Sequence, residues 1–331
     1  MKYLVAIFSA ILFLTSCNSS PKKNTENASK KIKILIDADA NNELDDQHAL
    51  AYAFLNDDVF DIVGVTVNNT IHGDGIQGHY DEALRIIRLL NLEDEMPLKK
   101  GATGTYKEIA PNISNPDFDG AEAVDFIIEE ALKMQNEKLV LLPVGKLTNV
   151  TLAILKEPKI IDKIRVVWLG SNYPAEGEYN LENDTTSINP VIESGVEFEM
   201  VMVRYDDNTG TTAVRVTKDE IEQNVKGRGP KANHAIIGRH GGEFTTFGDY
   251  SYNLFEHAEM YGNPPARSLF DMATVAIVKN PDWADRVEIP APKLIGKGWI
   301  DQPENENKII IWENFDRDAI VNDFYKSLSK I

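Results

Sequence analysis

The sequence predicts an α/β protein with an open, mostly parallel sheet and helices on both faces. Three observations predict it. Short apolar runs alternate with amphipathic stretches from residue 32 onward. The runs are apolar at nearly every position, so each strand wants cover on both faces. After Lys31 there is no internal repeat and no linker-like shift in composition, which implies one domain of about three hundred residues.

The elements follow in order. Ile32–Ile36 (IKILI) reads as a buried strand ending at Asp37, and Asp46–Leu55 (DQHALAYAFL) has helical spacing. Phe60–Val67 is a second strand, His79–Leu90 an amphipathic helix and Met96–Lys100 a short third strand. Ala121–Met134 reads as a helix and Lys138–Pro143 (KLVLLP) as a strand. Thr148–Leu155 begins another helix, and Ile164–Leu169 and Val196–Val203 complete the strands. Irregular insertions are expected between Arg204 and Pro265. In such a sheet ligands bind beyond the carboxyl ends of the strands, so the residues just after each strand are the candidates for chemistry.

The chain has 331 residues, with 34 Lys+Arg against 52 Asp+Glu and a formal charge of −18. That balance argues against a nucleic-acid partner, which needs a basic footprint. One cysteine, Cys17, excludes an internal disulfide and a thiolate metal cluster. Met1–Cys17 (MKYLVAIFSAILFLTSC) has a positive Lys2, an apolar run too short for a comfortable membrane span, and a cysteine after Leu14-Thr15-Ser16. It resembles a bacterial lipoprotein signal with its lipobox at Cys17, the lipidation site. A plain secretory signal is the alternative. Residues 18–30 (NSSPKKNTENASK) are polar and read as a flexible tether, leaving 31–331 as the folded domain. The expected location is the cell envelope, lipid-anchored, on the periplasmic or outer-membrane side, with the lipid as the sole membrane contact.

Asp37–Asp46 reads DADANNELDD and puts Asp37, Asp39, Glu43, Asp45 and Asp46 in one strand-to-helix turn. Crowded carboxylates repel and raise one another's pKa unless a cation neutralises them, and all-oxygen donors favour Ca²⁺ or Mg²⁺. Helix capping explains one or two of these acids, not five. An EF-hand is excluded, because its sixth position is Asn42 instead of Gly and its twelfth is His48 instead of Glu.

The segment IDADANNELDDQHALAYA is similar to the opening of the nucleoside hydrolases, the inosine-uridine preferring N-ribohydrolases that cleave a nucleoside into base and ribose. Their hallmark is Asp-x-Asp-Pro-Gly-x-Asp-Asp before an apolar helix. Here Asp37-Ala38-Asp39 is followed by a turn two residues longer, without Pro-Gly, and then Asp45-Asp46. Four later segments keep the family's order: PLKKGA at Pro97–Ala102, LLPVGKLTNVTLA at Leu141–Ala153, VWLGSNYPAEGEYN at Val167–Asn180 and RSLFDMATVA at Arg267–Ala276.

The resemblance implies a Rossmann-like fold, a Ca²⁺ ion at the pocket floor and frequent homo-oligomers. Its implied ligands are Asp39, Asp46, the carbonyl of Val144, and Asp271. It implies Asp39 as the base that activates water, with Asp37 and Asp45 supporting the loop and hydroxyl contacts. Glu178 and Asn180 match the family's sugar-gripping pair, and Asn69 its early substrate Asn, with Asn68 as the other alignment. The implied substrate is a nucleoside or another ribosyl compound. One departure stands out: many purine-acting members have a His just before the late Asp, as acid for the leaving base, and here that position is Phe270. Phe270 can stack on a base or line the pocket. His240, with His257, Tyr250 and Tyr252, lies in a Gly- and aromatic-rich segment like a substrate-covering loop. Two rival readings remain. One is a non-catalytic Ca²⁺-dependent sugar- or nucleoside-binding lipoprotein. The other is an O-glycoside hydrolase with paired carboxylates, its sugar platforms drawn from Trp168, Trp283, Trp299 and Trp312.

Overall fold

In Ile32–Ala38 every residue from Ile34 onward is buried, and alternate side chains enter two different cores. Ile34 and Ile36 join one cluster and Leu35 the other. That two-sided burial places β1 (Ile32–Ala38) at the centre of a sheet covered on both faces. The computed structural model describes residues 1, 30–205 and 207–329. The predicted signal with Cys17, and the tether up to residue 29, lie outside the described residues.

The strands that follow are β2 (Phe60–Val67), β3 (Leu98–Lys100), β4 (Leu139–Pro143), β5 (Ile164–Ser171) and β6 (Glu197–Met202). Two C-terminal strands, Asp285–Pro290 and Lys308–Glu313, complete the main sheet. From one edge the order is Asp285–Pro290, Lys308–Glu313, β6, β5, β4, β1, β2, β3. Only Asp285–Pro290 pairs antiparallel, at the edge; the other neighbours are parallel. The predicted mostly parallel sheet is therefore present. β4 repeats the alternation of β1, with Val140 and Leu142 in one core and Leu139 and Leu141 in the other.

Helix α1 (Asp45–Phe54) is buried along its whole length, not on one face. Its small residues Ala49, Ala51 and Ala53 let it lie against the helix Phe270–Lys279, itself lined by Ala273 and Ala276. Helix α2 (Gly75–Leu89) starts four residues before the apolar periodicity suggests. The segment expected to be irregular between Arg204 and Pro265 is ordered instead. It holds the strand Arg215–Thr217, the helix Lys218–Asn224, a hairpin of Lys231–Ile237 with Glu243–Thr246, and the helix Phe247–His257. Local polar chemistry starts its helices: Thr217 and Glu220 form a capping box, and the Thr246 hydroxyl caps Asp249 N–H. Such caps carry no apolar periodicity, which is why the pattern missed them.

Strand order reverses between β1 and β4. From β1 the chain moves outward to β2 and β3, then returns across β1 to β4. This switch point opens a crevice at the carboxyl ends of the two strands, between Asp39 and Val144.

Candidate active site

Asp39 follows β1 directly and is fully buried. Its backbone N–H donates to Asp46 Oδ1 at 3.1 Å. Its Oδ2 accepts from Asn42 Nδ2 and Thr70 Oγ1, both at 2.6 Å, while its Oδ1 has no partner among the described residues. Gly145 sits so close that a Cβ there would fall 2.9 Å from Asp39 Oδ1 and 2.7 Å from the Asn68 amide.

Asp45 and Asp46 form the first turn of α1, and Asp271 is the second residue of the helix Phe270–Lys279. Because these two helices lie against each other, both N-termini meet at the same place. One carboxylate oxygen each from Asp45, Asp46 and Asp271 lie within 4.8 Å of one another, and all three residues are buried. The helix N-termini favour negative charge, but burial and mutual repulsion dominate. Burial lifts Asp39 to about 7, helped by the Glu178 and Asp37 charges, and lifts Asp45 to about 7, helped by Asp39. Asp46 and Asp271 are pushed well above the usual carboxylate range by burial and then by neighbouring aspartates. Glu178 rises to about 7, chiefly through burial.

The donor chemistry fits a hard divalent cation. Asp39 Oδ1, Asp46 Oδ2 and Asn180 Oδ1 are buried oxygens without a described partner, and no nitrogen or sulfur ligand competes in the carboxylate group. Asn180 Nδ2 is fixed by donating to the carbonyls of Val144 (2.8 Å) and Leu169 (3.0 Å), which leaves its Oδ1 free. Glu178 caps the short helix Tyr179–Asn183 through Leu181 N–H at 2.7 Å.

A cavity of about 550 Å³ opens over this group, lined by Asp45, Asp271, Val144, Glu178, Asn180 and Phe270 among others. Phe270 meets Tyr205 edge-on, with centroids 6.2 Å apart. None of the four tryptophans lines it; Trp168 and Trp312 are buried in the two cores.

Three expected site residues fall elsewhere. Asp37 is within β1 and does not reach the cavity. Its Oδ1 accepts from Thr66 Oγ1 (2.7 Å) and Asn149 Nδ2 (2.8 Å), and its Oδ2 from Asn68 Nδ2 (3.1 Å). It is a buried brace that ties β1 to β2 and to the helix after β4. Asn69 keeps a buried, unpartnered Oδ1 but is not part of the cavity wall; nor is Asn68, whose Oδ1 accepts from Lys146 N–H. His240 is exposed at the tip of the hairpin and stacks on His257 with centroids 4.4 Å apart, so its ring is not part of the cavity wall, while the neighbouring Arg239 reaches Asn41 Oδ1 at 3.5 Å. The close carboxylate group contains Asp45 where the ligand set expected Asp39, because the abutting N-termini of α1 and the helix Phe270–Lys279 bring Asp45 and Asp46 to Asp271; Asp39 adjoins the group through its N–H bond to Asp46.

The cavity also gathers Glu43 of the acidic turn, with Arg215 and His72, which local sequence did not single out. Glu43, from the long first turn, is half-exposed and pairs with Arg267. Arg215 comes from the ordered insertion and donates to the carbonyls of Tyr261 and Ala266. His72 enters on the loop after β2, which is docked by Ile71 N–H donating to Asn183 Oδ1 at 2.7 Å. Contacts 46 residues or more apart along the chain place these groups, so no short window signals them.

Residues 34–322 match the family model described as inosine-uridine preferring nucleoside hydrolase. The chain belongs to this family. It is 25% identical over 279 residues to the pyrimidine-specific ribonucleoside hydrolase RihB of Shigella sonnei, covering 76% of this chain and 80% of that protein. It is 26% identical over 189 residues to the pyrimidine-specific ribonucleoside hydrolase RihA of Shewanella oneidensis, covering 50% and 57%. The chain spans about half the length of that relative and 43% of a Schizosaccharomyces pombe protein. The solved purine-preferring ribonucleoside hydrolase from Gardnerella vaginalis superposes with a TM-score of 0.67 at 21% identity, over 90% of this chain and 98% of that one. This likeness shows that the family's α/β fold is shared. The long, Pro-Gly-free first turn and Phe270 are this member's departures from the family pattern, and both sit at the cavity.

Proposed function

We propose that the protein hydrolyses the N-glycosidic bond of a nucleoside or a related ribosyl compound in a Ca²⁺-dependent reaction. The observation that carries this reading is the buried group Asp39, Asp45, Asp46 and Asp271, with unpartnered oxygens, at the switch point beneath a cavity of about 550 Å³. Family membership supports it. Asp46, Asp271, Asp39 and the carbonyl of Val144 are the proposed ligands, with Asp45 completing the negative shell. When bound, the cation would acidify water and grip vicinal hydroxyls.

The chain's own residues do the rest. Asp39 takes the proton from the attacking water. Its Thr70 and Asn42 hydrogen bonds fix one oxygen and leave Oδ1 free for that task. Glu178 and Asn180 hold the sugar, and their negative and amide oxygens stabilise positive charge developing on the ribose ring. Phe270 and Tyr205 form an apolar wall suited to a base. The test is release of free ribose by the full chain, with Ca²⁺, across a panel of purine and pyrimidine nucleosides. Ribose release abolished by chelation supports the reading. Confirmed Ca²⁺ binding with no ribose from any substrate refutes it, and favours a binding lipoprotein using the same site.

We propose further that Met1–Cys17 is a lipoprotein signal and that the protein is tethered at the cell envelope through lipidated Cys17. The cysteine's place after Leu14-Thr15-Ser16 and the polar stretch behind it support this. Among the described residues no helix is long and apolar enough to cross a membrane.

A further inference from the structure

We infer that His72 is the acid that protonates the departing base. The inference rests on the ribosyl-hydrolysis reading and assigns a step that reading leaves without a residue. Breaking the C1′–N bond leaves its electron pair on the base, and a neutral base departs far more readily than an anion. A donor is therefore needed on the base side of the sugar. The phenyl ring of Phe270 has no proton to give.

The chain has six histidines, all described, and only one lines the cavity. His48 is buried against Ser251 Oγ and the Leu44 carbonyl. His79 is buried and accepts from Asn41 N–H. His240 and His257 stack on each other outside the cavity. His234 is exposed on the strand Lys231–Ile237. His72 alone is in the wall.

Its position relative to the base Asp39 suits the role. Thr70 Oγ1 touches Asp39 Oδ2 at 2.6 Å, and His72 is two residues further along the same strand-end loop. Two residues of extended chain span at most about 7 Å. The loop thus carries His72 into the cavity wall within about 7 Å of backbone from the residue that touches the water-activating carboxylate. His72 is held there. Its backbone N–H donates to Tyr179 Oη at 3.3 Å, and its ring lies nearly parallel to Tyr179, with centroids 6.0 Å apart and planes at 11°. That stacking fixes the ring against Tyr179 at the cavity wall. Among the described residues none hydrogen-bonds the ring nitrogens, so both remain available. The ring is also exposed, so it can regain a proton from solvent after each turnover.

The step balances without another reactant. The water oxygen bonds to C1′ and gives its proton to Asp39. The C1′–N bond breaks, its electron pair goes to the base nitrogen, and the imidazolium proton of His72 joins that nitrogen. Asp39 then releases its proton to solvent and His72 takes one up.

The test compares the full-length wild type with His72→Gln, both with Ca²⁺, on inosine, uridine and p-nitrophenyl β-D-ribofuranoside. Nitrophenolate leaves without a proton near neutral pH, so it needs no acid. The expected result is a loss of kcat/KM of roughly 10²-fold or more on whichever nucleosides the wild type cleaves, with the nitrophenyl riboside changed less than threefold. Equal losses on both substrate types would overturn the assignment and make His72 a binding or structural residue. An unchanged nucleoside rate would overturn it as well. If the wild type cleaves none of the three, the ribosyl-hydrolysis reading fails first and takes this inference with it.

Discussion

The carboxylate group predicts a steep pH dependence of calcium binding. In the metal-free fold burial holds Asp39 and Asp45 near 7, and burial with neighbouring aspartates pushes Asp46 and Asp271 well above the ordinary carboxylate range. These folded values lie above the unfolded carboxylate value of 3.8. The stability these acids contribute to the metal-free protein is therefore present at low pH and lost as pH rises from about 4 to about 7. Calcium reverses the preference, because it binds the deprotonated group. Below pH 7 each proton that must leave lowers apparent affinity about tenfold per pH unit. Asp39 and Asp45 together give about a hundredfold between pH 6 and pH 5, or about 2.7 kcal/mol. Any proton displaced from Asp46 or Asp271 adds to that. Burial also pushes His48 and His79 down to about 4, so both destabilise the fold as pH falls below 6.5, with or without calcium. Their effect cancels in the difference between calcium-loaded and calcium-free protein. The assay is calorimetric titration of chelator-stripped protein at pH 5, 6 and 7 at fixed ionic strength, with melting curves with and without calcium alongside. An affinity that changes less than threefold between pH 6 and pH 5 would show that these carboxylates do not surround the ion.

Three further outcomes are expected. Asp39→Asn removes the base and should lower kcat by roughly 10²–10⁴-fold on any cleaved nucleoside, measured as ribose release. Asp37→Ala strands the Thr66, Asn68 and Asn149 donors inside the sheet and should destabilise the protein by about 3 kcal/mol or more, read as a lower midpoint in urea; a midpoint equal to wild type would show that the brace is not structural. Cys17→Ser should move the protein from the membrane fraction to the soluble fraction of the envelope, and persistence in membranes would contradict the lipid anchor.

The alternation of apolar runs was enough to predict the parallel sheet, because a strand buried on both faces cannot hide its composition. The acidic turn after β1 was equally legible: Asp39, Asp45 and Asp46 are neighbours in sequence, and their type alone points to a cation. Asp271 became readable only through the order of family-like segments, since a single acid at a helix start is also an ordinary cap. Asp37 misled, because a carboxylate beside a site and a carboxylate beneath it look the same in sequence. Thr66 and Asn149, distant along the chain, turn it inward. His240 misled for the opposite reason, as its aromatic, Gly-rich surroundings resemble a cover but fold into a hairpin whose tip stacks His240 on His257.

Local composition and period thus determined the layers of this protein and the chemistry of its first turn, because those depend on interactions between near neighbours. The tertiary structure alone decided that Asp45 closes on Asp46 and Asp271, and that His72 and Arg215 reach the same cavity as Phe270. Those outcomes depend on where α1, the helix Phe270–Lys279 and the β2 loop meet, and such meetings are set by how whole elements bury their faces against one another.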